Sequence, residues 1–221
     1  MPRREGARTV AWDPKAEAVR LWDHDPCGAV AGIEEGSVEF FKAVDRDRYS
    51  VYAPWLIGVV GFSDFARKRV LEVGCGMGSD LAQFMRGGAI ACGIDLVPRH
   101  LSIAAARLRI EGSPVRLIRS DAEHLPVRTD CLDVVYSFGA LHHTPSIERA
   151  LEEIHRALRP GGELILGVYH RHSFFYLIDC LLIRGSGRTD FQAAQTSAVV
   201  EATGKRRCRT GLSSRLASPV K

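Results

Sequence analysis

No stretch of this chain approaches the ~20 consecutive apolar residues that a membrane-spanning helix needs. The longest apolar run, "FFYLIDCLLI", is broken by Asp179 and is too short to span. The opening "MPRREGARTVAWDPK" has no apolar core, so it does not read as a secretory signal; its charges suggest a frayed leader. No C-x-x-C pair occurs among the six cysteines at 27, 75, 92, 131, 180 and 208, and no Cys/His cluster has zinc spacing. That removes a redox dithiol and a structural metal from consideration. Most of these thiols sit in apolar runs, where cysteine acts as a small hydrophobe, and this suits a reducing cytoplasm. Internal repeats are also missing.

What remains is an ordinary globular composition. At 221 residues, 46% hydrophobic and 25% charged, the chain suits one α/β domain with a real core rather than two domains. Its net charge of +4 is unevenly spread: from Arg184 onward there are eight Lys/Arg and two acids, a net +6, which leaves −2 for the rest. A basic tail can touch nucleic acid or anionic lipid. Aromatics are nearly absent there, so no base-stacking platform is visible and a solvated, poorly ordered end is the reading adopted.

Along the chain, two tryptophans, Trp12 and Trp22, stand among charges and glycines. Ser37 is placed to cap a helix over "VEFFKAVDRDRYSVY", in which Val38, Phe41, Val44 and Arg48 recur at helical spacing. "APWLIGVVGF" suggests a short helix packed over something. From Arg69 the rhythm is regular: strand "RVLEVG", helix "SDLAQFMRGG", strand "AIACGIDL", helix "PRHLSIAAARLRIEG", strand "VRLIRSDA", a strand within "CLDVVYSFGAL", helix "SIERALEEIHRALRPGG" and strand "ELILGVYH". In the last helix Ser146 caps, Ile147, Leu151, Ile154 and Leu158 line one face, and Pro160-Gly161 stop it. Alternating strands and helices predict a Rossmann-like, doubly wound, mostly parallel sheet with helices on both faces. After Tyr169 the pattern fades. "SFFYLIDCLLIRG" suits one more helix, and beyond residue 186 "AVVEAT" is one strand at most.

Behind the first strand, "VGCGMGSD" places glycines at 74, 76 and 78, spaced G-x-G-x-G rather than the dinucleotide G-x-G-x-x-G. Glu72 stands two residues before the first glycine. A carboxylate there would repel an anionic pyrophosphate and suits a ligand that carries positive charge. Asp95 ends the second strand, where such folds place the acid that binds ribose hydroxyls, and Asp121 ends the third. Each acid has a local alternative: Glu72 with a nearby partner, Asp95 capping the next helix, Asp121 forming a turn. Three acids at three consecutive strand ends are harder to explain as local structure, because that edge is where ligands bind.

"VLEVGCGMGSDL", "GIDLVPRHLSIAAARL", "RSDAEHLPVRTDCLDVVYSFGALHH" and "ALEEIHRALRPGGELIL" together resemble the ordered motifs of class I S-adenosylmethionine (AdoMet)-dependent methyltransferases, in particular the small-molecule branch called type 11. The resemblance covers roughly residues 68 to 170. It implies AdoMet as cofactor, with Gly74, Cys75, Gly76 and Gly78 forming the cofactor loop and Glu72 near the methionine end. It implies Asp95 on the ribose, Asp121 with the Ala122 backbone on the adenine, Leu96 and Glu123 among the cofactor-binding residues, and Ser137 and Phe138 beside the methyl group. A side-chain nucleophile is not required, since the enzyme mainly aligns the acceptor with the methyl and excludes water. His142 and His143 are candidates to deprotonate or orient the acceptor, with stabilisation of the loop as the alternative. No metal site is expected.

The segment after the fourth strand reads "SFGA" and lacks the Asn/Asp-Pro-Pro-aromatic run typical of enzymes that methylate base amino groups, so nucleic acid is not the expected acceptor. The expected organisation is a helical cap over 1–66 that shapes the acceptor pocket, an AdoMet-binding core over 67–185, and the basic tail over 186–221. The resembled fold normally ends in a β-hairpin with one antiparallel strand, and this sequence shows no convincing hairpin. Truncation, a changed reading frame or divergence would each account for that, and each would leave a sheet edge exposed. The expected function is therefore methyl transfer from AdoMet to a small-molecule acceptor, lipid or metabolite, in the cytoplasm. A non-catalytic or truncated AdoMet-binding module is the alternative. An NAD(P)-dependent oxidoreductase is opposed by Glu72 and by the glycine spacing.

Overall fold

The structure is a computed structural model and describes residues 13–169, apart from 25 and 27, and 197–203. Helix α1 (Pro14–His24) is followed by a glycine-rich link and α2 (Val38–Arg46); a π-helical turn (Asp47–Tyr52) then leads into α3 (Leu56–Val60). The core follows as β1 (Arg69–Val73), α4 (Ser79–Arg86), β2 (Ile90–Asp95), α5 (Pro98–Ile110), β3 (Leu117–Arg119), β4 (Leu132–Phe138), α6 (Ile147–Ala157), β5 (Leu158–Tyr169) and β6 (Ser197–Thr203).

One six-stranded sheet runs β3-β2-β1-β4-β5-β6. All neighbours are parallel except β5 and β6. The side-chain alternation of β1 explains why the strands read as continuous apolar runs. Val70 joins Ala91, Val134, Tyr136 and Ile165 on the face covered by α4, where Leu81 and Phe84 are fully buried. Leu71 and Val73 join Ile94, Val135 and Leu166 on the other face, under Ala150 and Ile154 of α6. Helices therefore cover both faces, as the sequence predicts. A third cluster seats the first part of the chain on the core: Phe40, Phe41 and Val44 of α2 pack on Met77 and on Ile103 of α5.

Several boundaries differ from expectation for local reasons. Ser37 caps α2 by accepting from the Phe40 N–H at 3.1 Å, but the α-helix stops at Arg46 and continues as the π-helical turn, so Phe40, Phe41, Ala43 and Val44 face inward while Val38 is exposed. α1 lies within the expected helical cap, in a stretch for which no individual helix was predicted from the sequence. β3 is confined to three residues, so Asp121 stands in the loop beyond it. Leu158 does not end α6. Its extended backbone already pairs with Leu132, and Arg159-Pro160-Gly161-Gly162 bulge out before pairing resumes between Val134 and Glu163. The residue before a proline avoids helical backbone, which is consistent with that early exit. β6 is the single strand that the sequence allows late in the chain, and it lies antiparallel on β5. The helix expected over residues 173–185 and most of the basic tail lie outside the described residues.

Arg107, fully buried on α5, ties these layers together. It donates to the Met77 carbonyl (3.2 Å), to Ser79 Oγ (3.1 Å) and to Asp45 Oδ1 on α2 (2.7 Å), and its guanidinium lies 4.5 Å from the Phe41 ring centroid. One side chain thus fixes the glycine turn, the start of α4 and the cap. Removing one partner of such a buried ion pair strands the rest, so Arg107→Met should cost about 3 kcal/mol. Urea denaturation checks this, and a loss below about 1 kcal/mol would show that the layers are held by apolar packing alone.

Candidate functional site

β1 is flanked by β2 on one side and β4 on the other, so the strand order reverses there and a crevice opens beyond the carboxyl ends of the strands. A cavity of about 850 Å³ occupies it. Glu72, Gly74, Cys75, Gly76, Asp95, Leu96, Asp121, Ala122, Phe138 and His143 all line this cavity, so the fold gathers most of the expected site residues in one place. Gly78, Glu123, Ser137 and His142 are not in its wall.

Each of the four has a different position. Ser137 is fully buried and donates to the Val73 carbonyl at 2.8 Å, which ties β4 to β1. Glu123 accepts from Thr144 Oγ1 (2.6 Å) and the Ser146 N–H (2.9 Å), which joins the loop after β3 to the loop after β4. The His142 ring lies 4.0 Å from that of His143, centroid to centroid, tilted by 48°. Burial and the neighbouring His143 lower His142 to about 4, and burial lowers His143 as well, so both rings are neutral near neutral pH.

The three glycines of the turn, all at positive φ, do different work. A Cβ on Gly74 would lie 2.2 Å from the Ala140 Cβ, so this glycine permits close approach of the loop after β4. A Cβ on Gly78 would meet Ala104 at 3.1 Å, so this one serves packing between α4 and α5. At Gly76 no atom lies within 4 Å of where a Cβ would sit, and its N–H donates to Asp95 Oδ2 at 2.8 Å. Gly76 therefore presents open space to the cavity, a cradle that a ligand can fill.

The acids differ in the same way. Asp95 accepts from the Gly76 and Val97 N–H groups and contacts His100 Nδ1 at 3.3 Å. Asp121 closes a turn by accepting from the Glu123 N–H, and Lys15 of α1 donates to it at 2.5 Å and to Glu123 at 2.6 Å. The turn expected at Asp121 is thus present, whereas Asp95 closes a turn ahead of α5 without capping it, since Val97 is the N-cap and has no side-chain cap bond. Glu72 is different. It is 4% exposed, and its Oε2 has no hydrogen-bond partner among the described residues. Burial, reinforced by the Asp80 carboxylate nearby, pushes Glu72 well above the usual carboxylate range. A buried unpaired carboxylate is costly and gains most from a cationic guest.

Sequence reasoning missed Asp80, which also lines the cavity. It is 2% exposed and accepts from Tyr49 (2.7 Å), Tyr136 (2.6 Å) and Arg48 Nε (2.7 Å), with a second, shorter bond from Arg48 Nη2. Burial alone would raise Asp80, but the Arg48 charge and these hydrogen bonds outweigh it and hold it low. The available signal was an acid in the first turn of the helix after the glycines; nothing local pairs it with Arg48. α1 was also missed. Its Lys15, Ala18, Val19 and Trp22 line the cavity, and Trp22 meets His143 edge-on at 5.1 Å. Cys75 is buried beside Glu72 and Asp95, and burial first, then those carboxylates, raise its thiol. It is therefore no nucleophile at neutral pH. Among the described residues no group of three or more His, Cys, Asp or Glu is placed to hold a metal, and no helix is long and apolar enough to cross a membrane.

The strand-edge cavity thus brings together an open glycine, the locally bonded Asp95 and a buried glutamate whose Oε2 has no hydrogen-bond partner among the described residues. Residues 71–166 match the family model described as "Methyltransferase domain", a match that supports a class I S-adenosylmethionine-dependent methyltransferase. Among curated proteins, the chain is 38% identical over 99 residues to the phthiotriol/phenolphthiotriol dimycocerosates methyltransferase of Mycobacterium leprae (strain TN), covering 44% of this chain and 36% of that protein. It is 36% identical over 104 residues to the methyltransferase GfsG of Streptomyces halstedii, covering 46% and 37%. The matched part thus spans well under half of these relatives. Among solved structures, the PH0226 protein of Pyrococcus horikoshii OT3 shares the fold at a TM-score of 0.56 and 20% identity, over 81% of this chain and 78% of that one.

The glycine turn gives a paired prediction. Gly74→Ala adds a clash to its positive-φ strain and should cost about 3 kcal/mol of stability. Gly76→Ala bears the strain alone and should cost about 1 kcal/mol, yet it fills the cradle. Thermal melts with and without S-adenosylhomocysteine check this: Gly76→Ala should melt near wild type and lose the ligand-induced shift.

Proposed function

We propose that the protein transfers a methyl group from AdoMet to a small-molecule acceptor by in-line displacement. The observation that carries this reading is buried Glu72, whose Oε2 has no hydrogen-bond partner among the described residues, beside an open glycine cradle. The residues fit the cofactor: Glu72 takes the ammonium, Gly76 gives access to the backbone, Asp95 takes the ribose hydroxyls, and Asp121 with Ala122 takes the adenine edge. When bound, AdoMet supplies a methyl group activated on a sulfonium. The chain's part is alignment and exclusion of water. Phe138, packed against Trp55 at 6.1 Å, walls the cavity beyond β4. His143, neutral and at the cavity wall, is the residue placed to accept a proton from an acceptor hydroxyl. Lys15 occupies Asp121 from α1, so that bridge must loosen or shift when the adenine amino group binds.

The Mycobacterium relative is named for phthiotriol/phenolphthiotriol dimycocerosates, and Val51, in the cavity wall, is exposed, as are Trp55, Ile57 and Val59 of the segment that follows. These support an acceptor with apolar bulk. The unpaired thiols of Cys75, Cys92 and Cys131 suit a cytoplasmic setting.

Glu72 binds a cation only after losing its proton, and its raised pKa means that the proton is still held at pH values where an ordinary glutamate has lost it. Affinity for S-adenosylhomocysteine should therefore rise with pH, and binding should release protons, seen as a buffer-dependent heat in calorimetry. Glu72→Gln should weaken binding by about tenfold or more and flatten the pH dependence. Unchanged affinity in that variant would remove Glu72 from the site.

A further inference from the structure

Four of the large apolar side chains that stay exposed fall between residues 51 and 59: Val51 (72% exposed), Trp55 (38%), Ile57 (47%) and Val59 (47%). α3 buries only Leu56 and Val60, one helical turn apart, in the core cluster that holds Phe62 and Phe84. The rest of its surface is turned outward. Pro54 is exposed as well, and no atom lies within 4 Å of where a Cβ on Gly58 would sit. A surface helix normally carries polar residues on its outer side, whereas this one is apolar on both. A concentrated exposed patch of that kind marks a contact with a partner.

The patch continues into the cavity. Val51 and Tyr52 line the cavity wall, and the Trp55 ring lies 6.1 Å from that of Phe138, which is also in the wall. Apolar side chains therefore run from the outer surface to the site.

Charge and size select the partner. Residues 48–63 hold no acid, and the wider stretch 46–69 has five Lys/Arg and two acids, a net +3. Arg46 before the patch, and Arg67 and Lys68 after it, are exposed. Cations that bracket an apolar, tryptophan-bearing segment suit an anionic lipid surface: apolar side chains enter the acyl boundary, indole sits at headgroup depth, and arginine and lysine meet phosphate. A stable protein interface takes roughly 20 or more residues on each side, far more than this segment presents.

We propose that the face formed by Val51, Trp55, Ile57 and Val59 docks on an anionic lipid bilayer, and that the acceptor enters the cavity from that surface, past Val51 and Phe138. An acceptor that moves straight from bilayer to cavity never exposes its apolar bulk to water, which removes the hydrophobic cost of delivery. The delivery role rests on the apolar acceptor proposed above and adds where that molecule comes from; the docking itself rests on the surface alone.

The test is co-sedimentation of the full chain with vesicles of phosphatidylcholine and phosphatidylglycerol in equal parts, or of phosphatidylcholine alone. Wild type should bind the mixed vesicles and bind phosphatidylcholine about tenfold more weakly. Ile57→Asp combined with Val59→Asp leaves Leu56 and Val60 in place and should weaken binding to mixed vesicles by about tenfold or more. Ile57→Ser with Val59→Ser guards against a folding defect and should show a smaller loss. Arg67→Gln with Lys68→Gln should lose about tenfold on mixed vesicles and nothing on phosphatidylcholine. The basic end of the chain, a net +6 from Arg184 onward, attracts the same vesicles. Binding that both apolar variants leave unchanged would belong to that end and overturn the proposal, as would a wild type that stays in the supernatant. A concentration-dependent dimer in analytical ultracentrifugation, broken by the double Asp variant, would make the patch a contact between copies and overturn it too. Calorimetry with S-adenosylhomocysteine reads the cofactor separately, and all variants should bind it as wild type does. Normal binding of S-adenosylhomocysteine without vesicle binding rejects the docking alone. Patch-dependent vesicle binding without S-adenosylhomocysteine binding upholds the docking and rejects the cofactor reading.

Discussion

A carboxyl group shut away from water must hold a proton or find a cation, and at Glu72 the fold supplies neither a second donor nor solvent. Everything else at the carboxyl edge of the sheet can be organised around that constraint. β1 buries its apolar residues on both faces and delivers Glu72 at its end, opposite Tyr136 of β4. α4 follows at once and brings Asp80 close by. Two buried acids so near each other would be untenable without Arg48, which comes from the cap and settles the charge on Asp80. Asp80 thus stays ionised and satisfied, while Glu72 is left with an open valence that faces the cavity.

The turn between β1 and α4 shows how three similar residues divide their labour. Gly74 admits Ala140, Gly78 admits Ala104, and only Gly76 opens toward the ligand. A motif read as a cofactor loop is therefore mostly a packing device with one ligand-facing position. Arg107 holds that device from behind by bonding to the Met77 carbonyl and Ser79 Oγ. Two arginines join the first part of the chain to the core in opposite directions, Arg107 reaching from α5 to Asp45 and Arg48 reaching from the π-helical turn to Asp80.

The parallel core was legible because buried strands and amphipathic helices each leave a periodic trace, and the end of β1 was legible because Glu72 interrupts an apolar run. The three acids were correctly placed at one edge, but their order of importance was not visible. Hydrogen bonds from Gly76, Val97 and Glu123 satisfy Asp95 and Asp121 locally, and those contacts depend on loop geometry. Arg48 and Asp80 were missed because their pairing spans 32 residues and two elements, and a lone arginine in a helical stretch carries no mark of its partner. α1 was missed because its charged sequence lacks an apolar stripe: none of its residues is buried, and it stays by Lys15 and Trp22 reaching across the cavity. Ser137 was assigned to the ligand on resemblance, and its hydroxyl instead bonds the Val73 carbonyl.

The central claim is that the buried vacancy at Glu72 is where a cationic amino-acid head binds. A crystal structure of the full chain with S-adenosylhomocysteine tests it most directly. The account predicts the ligand ammonium within hydrogen-bond distance of Glu72 Oε2, with the ribose on Asp95. A ligand bound elsewhere in the cavity, with Glu72 Oε2 still unpaired, would contradict it.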